Sequence, residues 1–141
     1  SGLKELPRFL RVERPREDES GSQYPRRDDY ARLLNQSILS LSCSGRWHYA
    51  LGKTFEIPAA RSILVSDCCR DVRNLGFNPG SNMLEITPGM NYRSMRRAIE
   101  SWLNDPDYMD RIASNGYALV HENHTNDIRA GQFVRLMEEL I

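Results

Sequence analysis

Residues 53–67 read Lys53-Thr-Phe-Glu-Ile-Pro-Ala-Ala-Arg-Ser-Ile-Leu-Val-Ser-Asp67. Ile63, Leu64 and Val65 form an unbroken apolar run. A strand with one solvated face alternates apolar and polar side chains, so an unbroken run predicts a strand covered on both faces, as in a parallel sheet wrapped by helices. Asp67 closes that strand at the carboxyl edge, where the ligands of parallel sheets collect. Upstream, Phe55, Ile57, Ala59 and Ala60 give a short helix over Thr54 to Ala60 its apolar side, and Glu56 falls near its start. Two acceptor oxygens suit the paired hydroxyls of a ribose, and free backbone N–H groups at a helix start favour phosphate. The same carboxylate equally suits a capping or solvating role at a helix start. Spacing alone leaves both readings open.

Working outward, the helix-then-strand order repeats. Asp28 or Asp29 can cap a helix running to about Gln36, with Tyr30, Leu33 and Leu34 on its inner face, and Ile38 to Leu41 then reads as a strand. A loop from Ser42 to Gly52 separates this unit from the next. Cys69 to Leu75 reads as a helical turn, Gly76 to Asn82 as turns, and Met83 to Ile86 as a short strand. Alternation of this kind predicts a parallel α/β domain.

From Tyr92 onward the pattern is helical. Met95, Ile99, Trp102 and Leu103 line a first helix that stops near Asn104-Asp105-Pro106. Pro106 opens a second, whose stripe is Met109, Ile112, Ala113 and Tyr117 or Val120 despite Gly116. Thr125 or Asn126 caps a third, with Ile128, Phe133, Leu136, Met137 and Leu140 expected to face inward. The organisation expected is residues 1–28 as a strand (Phe9, Leu10, Val12) and a charged loop, then residues 29–141 as one α/β domain with a helical carboxyl-terminal tail.

A chain of 141 residues holds one core. Nineteen basic and nineteen acidic residues cancel, which argues against a field that recruits nucleic acid or an anionic membrane, and for a small ligand. No apolar run approaches the roughly 18 residues of a membrane span, and the charged amino terminus does not read as a signal peptide, so a cytoplasmic location is expected. Cys43, Cys68 and Cys69 fit neither a disulfide framework nor a CxxC metal pair and read as reduced thiols. His121 and His124 lie three apart with no third ligand nearby, so no metal site is expected. Trp47 and Tyr49 flank His48 and suit stacking on a base or sugar as well as ordinary packing. Gly45 and Gly52 bracket this loop, and Ser44 to Lys53 is the expected mouth of a site.

Several pieces taken together resemble a known family. They are Asp29-Tyr-Ala-Arg-Leu-Leu-Asn-Gln-Ser-Ile-Leu-Ser-Leu-Ser42, Lys53-Thr-Phe-Glu56, Ile63-Leu-Val-Ser-Asp67, and a tail with Asn115-Gly116-Tyr117, His124-Thr125 and Arg129. Their order and intervals resemble the carboxyl-terminal half of group 1 glycosyltransferases of the spore-maturation type, over roughly residues 29–140.

The resemblance implies a Rossmann-like domain, the donor-binding half of a GT-B enzyme that transfers a hexose from a nucleoside diphosphate sugar to an acceptor, with retention. It further implies that Glu56, at the second acid of the family's Glu-x7-Glu pattern, contacts the ribose. Lys53 stands where relatives carry Arg in an Arg-Thr-Phe-Glu run and, with Arg46, would neutralise the diphosphate. His48 stands eight residues before Glu56, where many relatives have their first acid, and would face the sugar or leaving oxygen. Thr54, Gly52 and Asp67 complete the expected donor-binding set. No cofactor or metal is implied. The implied partners are the nucleotide sugar, a carbohydrate or glycosylated acceptor, and an acceptor-binding domain in cis or trans.

Arg61 departs from the pattern, which favours Gly at that turn, so either the turn differs or Arg61 has acquired a ligand contact. His48 and Arg61 favour an alternative: a catalytically silent relative or fragment serving as a nucleotide- or protein-binding module. A flavodoxin-like signalling domain would carry an acidic cluster just after Phe9 to Val12, and none follows closely.

Overall fold

The computed structural model describes residues 27–141. The expected strand at Phe9, Leu10 and Val12, and nearly all of the charged segment after it, lie outside the described residues. In chain order the elements are α1 (Arg27–Asn35), β1 (Leu39–Leu41), α2 (Lys53–Ala59), β2 (Ile63–Ser66), α3 (Arg70–Asn74), β3 (Leu84–Glu85), α4 (Tyr92–Leu103), α5 (Pro106–Asn123) and α6 (Asn126–Glu139). The strands form one parallel sheet in the order β1-β2-β3. Leu39 pairs with Ile63 and Leu41 with Val65, and Val65 in turn pairs with Leu84. The expected parallel, Rossmann-like α/β domain with a helical tail is the fold observed.

β2 is buried at every position. Its side chains alternate between two apolar clusters. Leu64 joins Leu34 of α1, Ile57 of α2, Val72 of α3, Phe77 and Met83, whereas Ile63 and Val65 join Leu84, Met109 and Ile112 on the α5 side. Each such side chain contributes about 1.5–3 kcal/mol when fully buried, so the three together fix the strand between its two covers. The one hydroxyl at the entry to β2 is matched: Ser62, fully buried, lies 2.8 Å from the Ser40 hydroxyl. No buried side-chain polar atom among the described residues lacks a partner.

Gly116 sets how closely α5 approaches α2. A Cβ at this position would stand 2.8 Å from the Asn82 carbonyl oxygen and 3.3 Å from Pro58 Cβ. Both neighbours belong to packed backbone or ring and have little room to yield.

The tail helices start where the sequence places them. Asn91 accepts from the Ser94 N–H at 2.9 Å, Asp105 from the Tyr108 N–H at 3.0 Å and Thr125 from the Ile128 N–H at 3.4 Å, so each helix has a side-chain cap. Pro106 occupies the first turn of α5, where its missing N–H removes no helical bond. Two expectations need correction. Leu103, expected on the inner face of α4, is exposed. The inward stripe expected on α6 is also exposed: Phe133, Leu136, Met137 and Leu140 all face solvent, Leu140 at 74%. Val120 near the end of α5 is already in the core, so α6 begins where there is no further core to cover. Periodicity identified the apolar face but not what lies opposite it.

His124 joins these layers. Its Nε2 lies 2.7 Å from the Leu75 carbonyl, and since a carbonyl only accepts, Nε2 carries the proton. Nδ1 accepts from the Arg129 guanidinium of α6. The ring lies against Phe55 of α2, with centroids 5.2 Å apart, and stacks on Phe77 at 6.1 Å. Burial lowers its pKa, Arg129 lowers it further, and the Leu75 carbonyl opposes them without prevailing.

Two predictions follow from this geometry. Gly116→Ala overpacks the α2–α5 contact and lowers the unfolding free energy in urea by about 1–3 kcal/mol. For His124 the unfolded chain takes up the proton first, so stability is full above the ordinary histidine value of about 6.5 and falls as pH drops through it toward the folded value. Thermal midpoints recorded across that range decline on acidification, and the decline is shallower in His124→Gln.

Candidate functional site at the carboxyl edge of the sheet

Three parallel strands deliver their following loops to one edge. There a cavity of about 330 Å³ is lined by Cys43 and Gly45 after β1, Asp67 after β2, Ile86 to Met90 after β3, and Met95 of α4. Its walls are mixed: Ile86, Pro88 and the two methionines supply apolar surface, and Asp67 supplies a carboxylate. Small-molecule sites share this character, apolar walls with a few fixed polar groups.

Asp67 is held by Ser44. One carboxylate oxygen accepts from the Ser44 N–H at 2.7 Å and from the Ser66 hydroxyl at 3.3 Å, and the other accepts from the Ser44 hydroxyl. Burial alone would raise this carboxyl, but the hydrogen bonds, those from Ser44 foremost, outweigh it and hold the pKa below its ordinary value. Asp67 is therefore an anion at neutral pH.

Beyond Ser44 the chain makes a tight exposed turn. The Tyr49 N–H donates to the Ser44 carbonyl at 3.2 Å and the His48 N–H to the Gly45 carbonyl at 3.4 Å. Gly45 has φ 68° and His48 φ 51°, both left-handed. The Arg46 guanidinium stands 5.4 Å from the centre of the Trp47 ring, and Trp47 is 74% exposed. Arg46, His48 and Lys53, the first residue of α2, all face solvent.

Glu56 sits in the first turn of α2 and bends back over Gly52: its Oε1 is 3.4 Å from where a Gly52 Cβ would stand. Tyr30 of α1 lies near enough to feel this carboxylate: its pKa is raised by burial first and then by the Glu56 charge and the pull of that carboxylate on its hydroxyl proton. Thr54 is buried.

The expected site residues thus fall into two places. Asp67 joins Gly45 at the cavity, while Gly52 and Glu56 join Tyr30 at the start of α2. Arg46, His48 and Lys53 lie on the exposed backbone that links them. Lys53, Thr54 and Glu56 do not line the cavity. Ser44 falls within the expected mouth, but its hold on Asp67, the role of Tyr30 and the residues after β3 were not anticipated. A tyrosine, where phenylalanine would pack as well, at an inward position of α1 was the available signal, because a buried hydroxyl needs a partner. Among the described residues no group of three or more His, Cys, Asp or Glu side chains could hold a metal ion, and Cys43, Cys68 and Cys69 are free.

A family described as glycosyl transferase-like matches residues 5–135. The chain belongs to this glycosyl transferase-like family. No curated protein and no solved structure matches it significantly. The match spans the whole sheet, α1 to α5 and most of α6. Among the described residues no helix is long and apolar enough to cross a membrane.

Arg61 shows how this glycosyl transferase-like chain handles the turn from α2 into β2. The turn keeps the left-handed backbone that favours glycine, with Arg61 at φ 62°. The side chain finds compensation: its guanidinium lies 4.2 Å from the centre of the Tyr117 ring. Asn35 Nδ2 donates to the neighbouring Ala60 carbonyl at 3.0 Å, tying α1 to the same turn. A left-handed non-glycine residue costs about 1–2 kcal/mol, and an exposed cation–π contact returns about 0.5–1 kcal/mol. Ala at position 61 retains the cost and loses the contact, whereas Gly loses both. Denaturant titration is expected to rank Arg61→Ala below Arg61→Gly by about 1 kcal/mol.

Proposed function

We propose that this chain is the nucleotide-sugar-binding half of a cytoplasmic GT-B glycosyltransferase, which transfers a hexose from a nucleoside diphosphate sugar to a carbohydrate or glycosylated acceptor with retention. An acceptor-binding domain, in cis or trans, completes the enzyme. The observation that carries this reading is the family match over residues 5–135, taken with an open cavity at the carboxyl edge of the parallel sheet.

The roles follow from charge and position. Glu56 is exposed at the start of α2, so its two acceptor oxygens are open to the paired ribose hydroxyls. Gly52 and Thr54 shape the backbone beneath it. Lys53 and Arg46 are exposed cations beside that position in the chain and meet the negative charge that gathers on the departing nucleoside diphosphate, a large term in such chemistry. His48 lies on the same loop and faces the sugar or the leaving oxygen. Asp67 stands at the cavity, where the sugar end of the donor is assigned.

A second reading is a silent relative that binds a nucleotide or a protein without turnover. It is favoured by Tyr30, which lies close enough to Glu56 for that carboxylate to raise its pKa, and by His48, which supplies no fixed negative charge where many relatives have an acid. Calorimetric titration with UDP, GDP and their sugars separates the two. Donor binding is expected to weaken at least about 10-fold in Glu56→Ala, a loss of about 1.4 kcal/mol. Absence of nucleotide binding by the unaltered chain would leave the protein-binding module as the better account. Turnover of a labelled donor in the presence of the acceptor domain distinguishes an enzyme half from a silent relative that still binds.

A further inference from the structure

We propose that Asp67 is a positioning residue acting through Ser44: its carboxylate fixes the root of the turn over residues 45–49 and so sets where Arg46, Trp47 and His48 stand beside the cavity. The inference rests on the donor-site reading given above and adds to it the element that orders the site's most exposed loop.

Three observations carry it. Ser44 is 2% exposed and offers both its N–H and its hydroxyl to the two oxygens of Asp67, one bond at 2.7 Å. Such charge-assisted bonds are about twice as strong as neutral ones. Past Ser44, the described hydrogen bonds of the turn close only within it, from His48 to Gly45 and from Tyr49 back to Ser44. The turn therefore hangs on Ser44, and Ser44 on Asp67. Finally, the turn holds two left-handed residues, Gly45 and the non-glycine His48. A conformation of that kind persists where its surroundings impose it.

Electrostatics supports positioning over phosphate contact. A carboxylate at the cavity wall repels a diphosphate, whereas the turn it anchors carries Arg46, of the opposite sign. Both oxygens of Asp67 already accept from Ser44, so the side chain is oriented by the protein before any ligand arrives.

The test uses Ser44→Ala, Asp67→Ala, the double variant and Ser44→Thr, which restores a hydroxyl. Ser44→Ala is the milder change, since the backbone N–H of residue 44 still donates to Asp67. Hydrogen exchange is followed over 45–52 and over β2 and α5, and UDP affinity is measured by calorimetry. Expected are faster exchange confined to 45–52 in both single variants and UDP binding weakened by about 10-fold in Asp67→Ala. The double variant is expected to be no weaker than Asp67→Ala, and Ser44→Thr close to the unaltered chain. If Ser44→Ala changes neither exchange nor affinity while Asp67→Ala lowers affinity, Asp67 touches the ligand directly and the proposal fails. Accelerated exchange throughout β2 and α5 also overturns it, because Asp67 would then be holding the fold and not the turn. Failure of the unaltered chain to bind UDP or any other nucleotide would count against the donor-site reading, and the exchange results would still decide whether Asp67 orders the turn.

Discussion

A strand with no side chain facing solvent must be covered twice, and β2 is such a strand. Leu64 requires one apolar layer, and α1, α2, α3 and the Phe77 region supply it. Ile63 and Val65 require another on the opposite face, which α5 supplies through Met109 and Ile112. Because β1, β2 and β3 all run the same way, each connection must return across a face of the sheet, and the loops that follow the strands arrive at one edge. The double cover of β2 thus dictates both the layered fold and the position of the cavity.

At that edge the chain uses long-range hydrogen bonding to hold one carboxylate rigid. Asp67 is locked by the adjacent loop from β1, and Tyr30 of α1 lies close enough to Glu56 to feel its charge. The Ser44–Asp67 bonds cross between elements far apart in sequence, so the position of Asp67 reports the arrangement of the sheet. Arg46 and Lys53, by contrast, are exposed cations, while Asp67 is tied back.

This division explains what could be read from the chain beforehand. The Ile63-Leu-Val run, the Pro106 helix start and the Thr125 cap were legible because each is local: a run of side chains, a missing N–H, a hydroxyl three residues from an N–H. The order of helices and strands followed, and with it the parallel sheet. The Ser44–Asp67 bonds and the proximity of Tyr30 to Glu56 were not legible. Each depends on a register or a helix placement that sets two distant residues side by side, and neither Ser44 nor Tyr30 has a local pattern that announces its partner. The face of α6 failed for the complementary reason. Its apolar stripe is real, but a stripe carries no information about whether a core remains to receive it.

Glu56 is carried by a helix that would not stand alone. α2 has seven residues, one of them an interior proline that gives no N–H, and isolated helices this short are unstable in water. Its position is imposed from outside: Ile57 and Pro58 are buried, and Gly116 of α5 admits Pro58 at close range. Among the described residues, the two non-glycine residues with left-handed backbone, His48 and Arg61, lie on either side of this helix in the chain. Strained turns at both flanks and a helix without intrinsic stability would together be an unfavourable segment, were it not for the packing of Ile57 and Pro58. It follows that the start of α2, and Glu56 with it, is positioned by the core beneath it. Changes in that core, such as at position 116, are then felt at Glu56 even though they touch none of the residues assigned to the donor.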